Sequence, residues 1–375
     1  MDIFDELGLH RYINAQDTFT KYGASCMPES SLKAMYEISR YCVDLYEVQE
    51  KVGDAIAKLT HNEAAYITNG AAGALTDCSA AVLALDSLEA YHRLPETDGR
   101  DQILMQRAHH NLYDRSMACT GAKIVYVGEE TRAPSAEEFE NAINEHTAAI
   151  GYVIYFGRDY SLPLETVVEI AHRHNLPVIV DAAAQNPPAS NLWHFSSEIG
   201  ADMVIFSGGK TIRGPQDSGL VVGKKIWIDR LRKLGPPMDG VCRECKTSRE
   251  AIVGLYAAVK EYMAVDEEAR MATLRHYCDI FEDMLRDCGF KDVFRDNEGP
   301  VGQTFPRSCA YMPFGSVDTL FEKCKARGVY ISNWTDNMLW FSPLILDDAQ
   351  VETVCRVVRE SIEEMRKEQS ENGSN

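Results

Sequence analysis

Through the first two thirds of the chain, short apolar runs rich in β-branched residues alternate with longer stretches of helical periodicity. The runs predict strands over 102–107, 123–127, 150–156, 177–181, 203–206 and 219–222. Runs that are apolar throughout suit strands buried on both faces of a parallel sheet. Between them, 71–85, 135–144 and 164–174 carry the 3.6-residue period of amphipathic helices. Such alternation predicts a doubly wound α/β sheet with its active groups at the carboxyl ends of the strands.

The flanks follow another pattern. Residues 1–27 lack strong helical periodicity, and Pro28-Glu29-Ser30-Ser31 reads as the start of a helix running toward Leu59. Gly235-Pro236-Pro237 interrupts the chain, and two long helices follow over 248–265 and 266–287. Beyond Gly289, strands at 310–313, 329–332 and 338–341 alternate with helices at 318–327 and 347–367. The expected organisation is an N-terminal segment with a long helix (1–60), a large α/β domain (61–265) and a small C-terminal α+β domain (266–375). The polar tail 368–375 is expected to fray.

A length of 375 residues suits two lobes better than one small core. The net charge of −19 argues against a nucleic-acid partner, because phosphate backbones require clustered Lys and Arg. No apolar run has the length of a membrane span, and the acidic start MDIFDELGLHRY is unlike a signal peptide. Eleven irregularly spaced cysteines read as reduced thiols of a cytoplasmic protein.

Three features carry chemistry, in chain order. Thr68-Asn69-Gly70-Ala71-Ala72-Gly73-Ala74 puts small residues where a helix begins, and free N–H groups there make a seat for phosphate. The segment is neither Walker A nor GxGxxG. Val178-Ile179-Val180-Asp181 ends an apolar strand in a carboxylate. Phe206-Ser207-Gly208-Gly209-Lys210 follows another strand with an amine. Taken singly, the aspartate reads as a helix cap and the lysine as a surface-turn residue. Together, in this order, they suit pyridoxal 5′-phosphate, with Lys210 as the Schiff-base amine and Asp181 paired to the pyridinium nitrogen. The glycines beside Lys210 are expected to leave room for the cofactor.

At these motifs, with Tyr12-Ile13-Asn14-Ala15, Val180-Asp181-Ala182-Ala183-Ala184 and Arg213-Gly214-Pro215-Gln216, the chain resembles the fold-type I pyridoxal-phosphate enzymes. It is most similar to the branch of selenocysteine synthase (L-seryl-tRNA selenium transferase) and D-glucosaminate-6-phosphate ammonia-lyase. The resemblance spans residues 12 to about 250 and is most specific at Lys210. It implies a mostly parallel sheet of the seven-stranded type in the large domain. Gly70, Ala71, Ala72 and Ser207 would hold the phosphate, and Ala183 would lie against one ring face. His109 or His110 would stack on the other face, with His109 preferred. No metal is expected, since neither histidine has a Cys or carboxylate at ligand spacing. Gln185 stands four residues after Asp181, where related desulfurases carry a glutamine three after. Arg243 and Lys246, in Cys242-Arg243-Glu244-Cys245-Lys246, would reach a neighbouring subunit's site, unless they form a solvated turn before a helix capped by Thr247 or Ser248. Arg213 and Arg158 are candidate substrate contacts, because Met338-Leu339-Trp340-Phe341-Ser342-Pro343 lacks the small-lobe arginine found in many such enzymes.

The implied activity is that of a lyase. Lys210 would remove the α-proton of an amino acid or amino-sugar acid, a β-hydroxyl would leave, and ammonia and a 2-keto acid would be released. Racemase, aldolase, transaminase and selenium-transferase activities share the first steps. A non-catalytic structural protein is disfavoured by the joint presence of Lys210 and Asp181. The expected assembly is a homodimer or larger homo-oligomer.

Overall fold

The computed structural model describes residues 2–154, 158–299, 303–333, 335 and 337–372. The chain divides into two compact units, Ser25–Val265 and a second made of Met1–Ala24 with Asp266–Asn375. One boundary falls at 265/266 and the other at 24/25, inside the N-terminal segment 1–60. Its first part joins the C-terminal unit through pairing: β1 (Ile13–Asn14) runs parallel to β11 (Val329–Tyr330). The Asp17 carboxylate also meets the Arg307 guanidinium at 2.8 Å, and both residues are buried. The same unit carries an antiparallel sheet of β9 (Val293–Asp296), β10 (Arg307–Tyr311) and β12 (Met338–Phe341), in the order β12-β10-β9. Helices Glu267–Asp287, Val317–Ala326 and Asp348–Asn372 complete it.

The larger unit is built on seven strands: β2 (Ala64–Asn69), β3 (Gln102–Gln106), β4 (Lys123–Val127), β5 (Thr147–Val153), β6 (Val178–Asp181), β7 (Met203–Ser207) and β8 (Ser218–Gly223). Their order is β2-β8-β7-β6-β5-β3-β4, and only β8 runs antiparallel to its neighbours. Alternate side chains of each strand enter two separate cores. Ile67, Leu104, Ile150, Val180, Val204 and Leu220 pack under helices Leu45–Leu59, Leu164–Arg173 and Arg249–Ala264. Tyr66, Ile103, Met105, Ile179, Ile205 and Val221 pack under helices Gly70–Ala84 and Lys225–Leu234. Helices on both faces explain why the strands read as continuous apolar runs. The edge strand β2 is blunted by side chains. Gln49 bonds both the N–H and the C=O of Ile67, and Arg232 donates to the Ala65 carbonyl.

Three sequence expectations differ from this architecture. The helix expected from about residue 30 to Leu59 is two helices, Glu29–Ser39 and Leu45–Leu59. The second begins afresh because the Asp44 side chain accepts from the N–H groups of Tyr46 and Glu47. Strand β2 and helix Lys225–Leu234 were not expected at all; in β2, two alanines weaken the β-branched signal. The strand expected over 150–156 is β5, which starts earlier through Ala148 and Ala149, while Tyr155 and Phe156 lie outside the described residues.

Candidate active site

Parallel strands that end together bring their following residues together, and β6 and β7 do so here. Asp181 is in register with Ile205, and the pairing continues past the end of β6. The Ala182 N–H donates to the Ile205 carbonyl (2.9 Å) and the Ser207 N–H to the Ala183 carbonyl (3.2 Å). Ala183 and Ser207 thus lie side by side at the carboxyl edge, two residues beyond Asp181 and three before Lys210.

The turn that carries Lys210 is held by hydrogen bonds along its length. The Gly208 N–H donates to the Ser218 carbonyl, Gly214 N–H to the Gly208 carbonyl, and Arg213 N–H to the Lys210 carbonyl. Ser25 Oγ donates to the Gly209 carbonyl and Thr211 Oγ1 to the Asn186 carbonyl. Lys210 itself is half-buried. The two glycines before it are required by the turn's own closure. A Cβ on Gly209 would stand 2.6 Å from the Gln216 Cα, and one on Gly208 would run into the Ser218 side chain. Arg213 adopts a left-handed backbone (φ 61°), and its Nε donates to the Cys26 carbonyl at 2.9 Å.

Asp181 is an unusual carboxylate. Its Oδ1 accepts from the Ala183 N–H at 3.0 Å. Burial pushes its pKa up, while that N–H and the charge of Lys210 pull it back and Asp114 adds to the rise. A carboxylate so placed is poised to take a cation at the strand end.

The helix Gly70–Ala84 begins at this same edge, after β2. The Asn69 side chain caps nothing, as at the starts of Glu29–Ser39, Leu164–Arg173 and Lys225–Leu234, but only this start directly follows a strand at the edge that carries Lys210 and Asp181. Ala71 is half-buried and Ala72 exposed, so the first-turn amides are left for an anion. Gly219 of β8 sets how closely that start is packed, since a Cβ there would strike the backbone of Gly70. Uncapped amides, a strand-end carboxylate and a half-buried lysine are the donor set that pyridoxal phosphate requires. The residues fit the group.

The two histidines after β3 have opposite environments. His109 is fully buried; its Nδ1 accepts from the Val153 N–H at 3.4 Å, and its ring meets Tyr152 edge-on with centroids 4.4 Å apart. Burial lowers its pKa to about 4. The His110 side chain is 47% exposed, and its Nδ1 lies 2.7 Å from Asp114 Oδ2 and 2.8 Å from the Tyr126 hydroxyl. Asp114 and Tyr126 were not anticipated from the sequence. The spacing of four between His110 and Asp114 was the available signal; Tyr126, on β4 next to β3, offered none.

The remaining candidates scatter. Arg158 opens the short turn Arg158–Tyr160, and its side chain lies outside the described residues. Arg243 is largely exposed and pairs with Asp239 at 3.4 Å, and Lys246 is exposed. Their turn packs on the start of the Gly70–Ala84 helix within this chain, where a Cβ on Gly73 would sit 3.6 Å from the Cys245 Cβ. Burial pushes the Cys245 thiol up to about 12 and Cys242 higher still, which favours the neutral thiol over the nucleophilic thiolate. Among the described residues, no group of His, Cys, Asp and Glu could hold a metal ion. Gln185 is buried, and its Nε2 lies 3.5 Å from the Ile154 carbonyl.

The family model described as L-seryl-tRNA selenium transferase (SelA) matches residues 19–286. The chain belongs to that family. Within reach of it are proteins of other named activities. A 5'-C-glycyluridine monooxygenase-decarboxylase of a Streptomyces species is 31% identical over 279 residues, covering 72% of this chain and 67% of that one. The D-glucosaminate-6-phosphate ammonia lyase of Salmonella typhimurium is 31% identical over 268 residues, 70% of each chain. A solved structure of D-glucosaminate-6-phosphate ammonia-lyase matches with a TM-score of 0.82 at 24% identity, over 97% of this chain and 99% of that one. The family and the fold place the protein among the fold-type I pyridoxal-phosphate enzymes, as the resemblance at Lys210 implied.

Proposed function

We propose that this protein is a pyridoxal-phosphate-dependent ammonia-lyase acting on a β-hydroxylated amino acid, with an amino-sugar acid as the favoured substrate class. The observation that carries the reading is the convergence of Lys210, Asp181 and the uncapped start of helix Gly70–Ala84 at one sheet edge, in a chain 31% identical to a D-glucosaminate-6-phosphate ammonia lyase. When bound, the cofactor supplies an electron sink that stabilises negative charge at the substrate's Cα. The amides of Gly70, Ala71 and Ala72, with Ser207, would hold its phosphate, and Ala183 would lie on the ring side of the site. The Asp181 carboxylate would keep a proton on the ring nitrogen. Lys210 Nζ would be the attachment point and, when free, the base that takes the α-proton.

His110 is the imidazole that faces the cofactor, in place of the preferred His109. The exposed ring of His110 is available at this edge, whereas His109 has no free face. Arg213 and Arg158 remain the candidates for the substrate carboxylate, and Arg243 and Lys246 for a phosphate or for a neighbouring subunit's site in a homodimer or larger assembly. A net charge of −19 disfavours a tRNA partner. Among the described residues, no helix is long and apolar enough to cross a membrane. Eleven free cysteines support a reducing, cytoplasmic setting.

The test is a substrate screen joined to a labelling experiment. D-glucosaminate 6-phosphate and a panel of hydroxy-amino acids should yield ammonia and a 2-keto acid in equal amounts. Borohydride should fix the cofactor on the peptide containing Lys210, and Lys210→Ala should abolish turnover. Oxygen uptake with loss of CO2 in place of keto acid would assign the chain to the decarboxylating chemistry of its other relative, and a label elsewhere would overturn the site.

A further inference from the structure

Asp114 is buried with 5% of its surface exposed, and its Oδ2 is crowded with donors. The Tyr126 hydroxyl donates to it at 2.6 Å and the Asn111 N–H at 3.1 Å, while His110 Nδ1 lies 2.7 Å away. An ionised carboxylate only accepts, so the ring nitrogen facing it carries the hydrogen. The Tyr126 oxygen, 2.8 Å from the same Nδ1, has spent its proton on Asp114 and can only accept there too. Burial and the Asp114 carboxylate both hold Tyr126 in its neutral phenol form. Two acceptors on one side of the imidazole therefore fix its tautomer. Nε2 is left as the nitrogen that gives and takes protons, on a ring that is 47% exposed. The network also borders the ring-nitrogen partner. Asp114 and Asp181 line one small internal void with Met105, Tyr113 and Val153, and Asp114 helps raise the Asp181 pKa.

We propose that Asp114 and Tyr126 are positioning residues that hold His110 with a hydrogen on Nδ1, and that Nε2, once it has accepted a proton from the Lys210 ammonium or solvent, is the acid protonating the departing β-hydroxyl. The inference rests on the lyase reading for the second half only. In the step itself, the Cβ–O bond breaks and its electron pair leaves with oxygen, which takes the Nε2 proton and departs as water. The pair left at Cα after Lys210 has taken the α-proton becomes the Cα–Cβ double bond. One water is later consumed when the enamine hydrolyses to keto acid and ammonia, so the overall reaction neither gains nor loses water. The Nε2 proton comes beforehand from the Lys210 ammonium or solvent, and giving it up returns His110 to the neutral Nδ1–H form.

Two measurements test the two halves. Long-range proton–nitrogen correlation of 15N-histidine protein, free of cofactor, reads the tautomer of His110 directly, with His110→Gln assigning the signal. The Nδ1–H form is expected in the native protein and its loss in Asp114→Asn; an Nε2–H ring in the native protein, or one indifferent to Asp114→Asn, overturns the positioning role. The second measurement runs the holoenzyme in D2O with D-glucosaminate 6-phosphate, comparing α-proton exchange with keto-acid release. Asp114→Asn should raise the ratio of exchange to release by about 10²-fold, the usual contribution of a general acid, and Tyr126→Phe should raise it less. Equal losses in both rates would show that the network acts only by packing. If the native enzyme exchanges the α-proton yet releases no keto acid, or does neither, the lyase reading fails and takes the acid role with it. The tautomer result then stands or falls alone.

Discussion

Two aspartates flank the same pair of strands and meet opposite fates. Asp202 precedes β7 at the amino edge of the sheet. Its Oδ2 accepts from the Val178 N–H at 2.9 Å and lies 3.0 Å from His172 Nε2, while its Oδ1 meets Lys224 Nζ at 3.0 Å. Asp181 ends β6 at the carboxyl edge, and among the described residues its hydrogen-bond donor is the Ala183 N–H. The first carboxylate is surrounded by protein partners and ties elements together. The second is half-buried without such a set among the described residues, so its charge is held ready for something brought to it. A strand-end acid is therefore diagnostic only when its partners are counted.

The sharpest way to break this contrast is to delete each acid. Asp181→Ala should cost roughly 10²–10³-fold in turnover, the scale of a lost electrostatic contact at a reacting centre, with little loss of folding stability. Asp202→Ala should do the reverse. The orphaned Val178 N–H costs about 1–3 kcal/mol, while turnover per folded molecule stays near native. Thermal denaturation alongside keto-acid release measures both. A stability loss in Asp181→Ala equal to that in Asp202→Ala would erase the distinction.

Two glycines of β8 extend the comparison to the backbone. A Cβ at Gly219 would strike Gly70 at the proposed phosphate seat, and one at Gly223 would strike the carbonyl of Asp202 at the far edge. Both alanine variants should lose about 1–3 kcal/mol through overpacking. Only Gly219→Ala should also weaken cofactor affinity, by roughly tenfold, or about 1.4 kcal/mol. Titration of cofactor-free protein with pyridoxal phosphate, followed by absorbance, reads this. Equal affinities in the two variants would mean that the helix start is not the phosphate seat.

The legible and illegible parts of this site divide along similar lines. The placement of Lys210 and Asp181 at one sheet edge could be read because each follows an apolar run, and the ends of parallel strands converge whatever else the fold does. The uncapped helix start could be read from Asn69-Gly70-Ala71-Ala72 for the same reason. What could not be read were side-chain pairings that depend on sheet order. Tyr126 meets His110 only because β4 lies beside β3, a neighbour relation that no local pattern encodes. The packing that also requires Gly208 and Gly209 could not be read, because the chain's return through Gln216–Ser218 is a tertiary contact. The break before Leu45 was legible after all: Asp44 with Glu47 three residues on is a helix-start signal, hidden by the apolar residues before it.

The smallest effect concerns a third buried acid, which separates burial from function. Asp77 lies within helix Gly70–Ala84, 2% exposed, and neither carboxyl oxygen has a hydrogen-bond partner at normal distance among the described residues. Burial raises its pKa well above the ordinary value, and the Cys242 thiol, a weak donor, offsets little of that. A carboxyl whose folded pKa exceeds its unfolded value of about 4 contributes stability that is complete below the unfolded value. That contribution is lost as pH rises through the folded one. Asp77→Asn does not titrate, so its melting temperature relative to the native protein should climb between pH 4 and pH 8. Asp181, also raised, should give Asp181→Asn the same slope in cofactor-free protein. Once the holoenzyme sets a cation against Asp181, that slope should shrink or reverse, while the Asp77 slope persists. Melting curves of both variants, with and without cofactor, read all four slopes. If bound cofactor flattens both or neither, Asp181 is merely another buried acid and the ring nitrogen lies elsewhere.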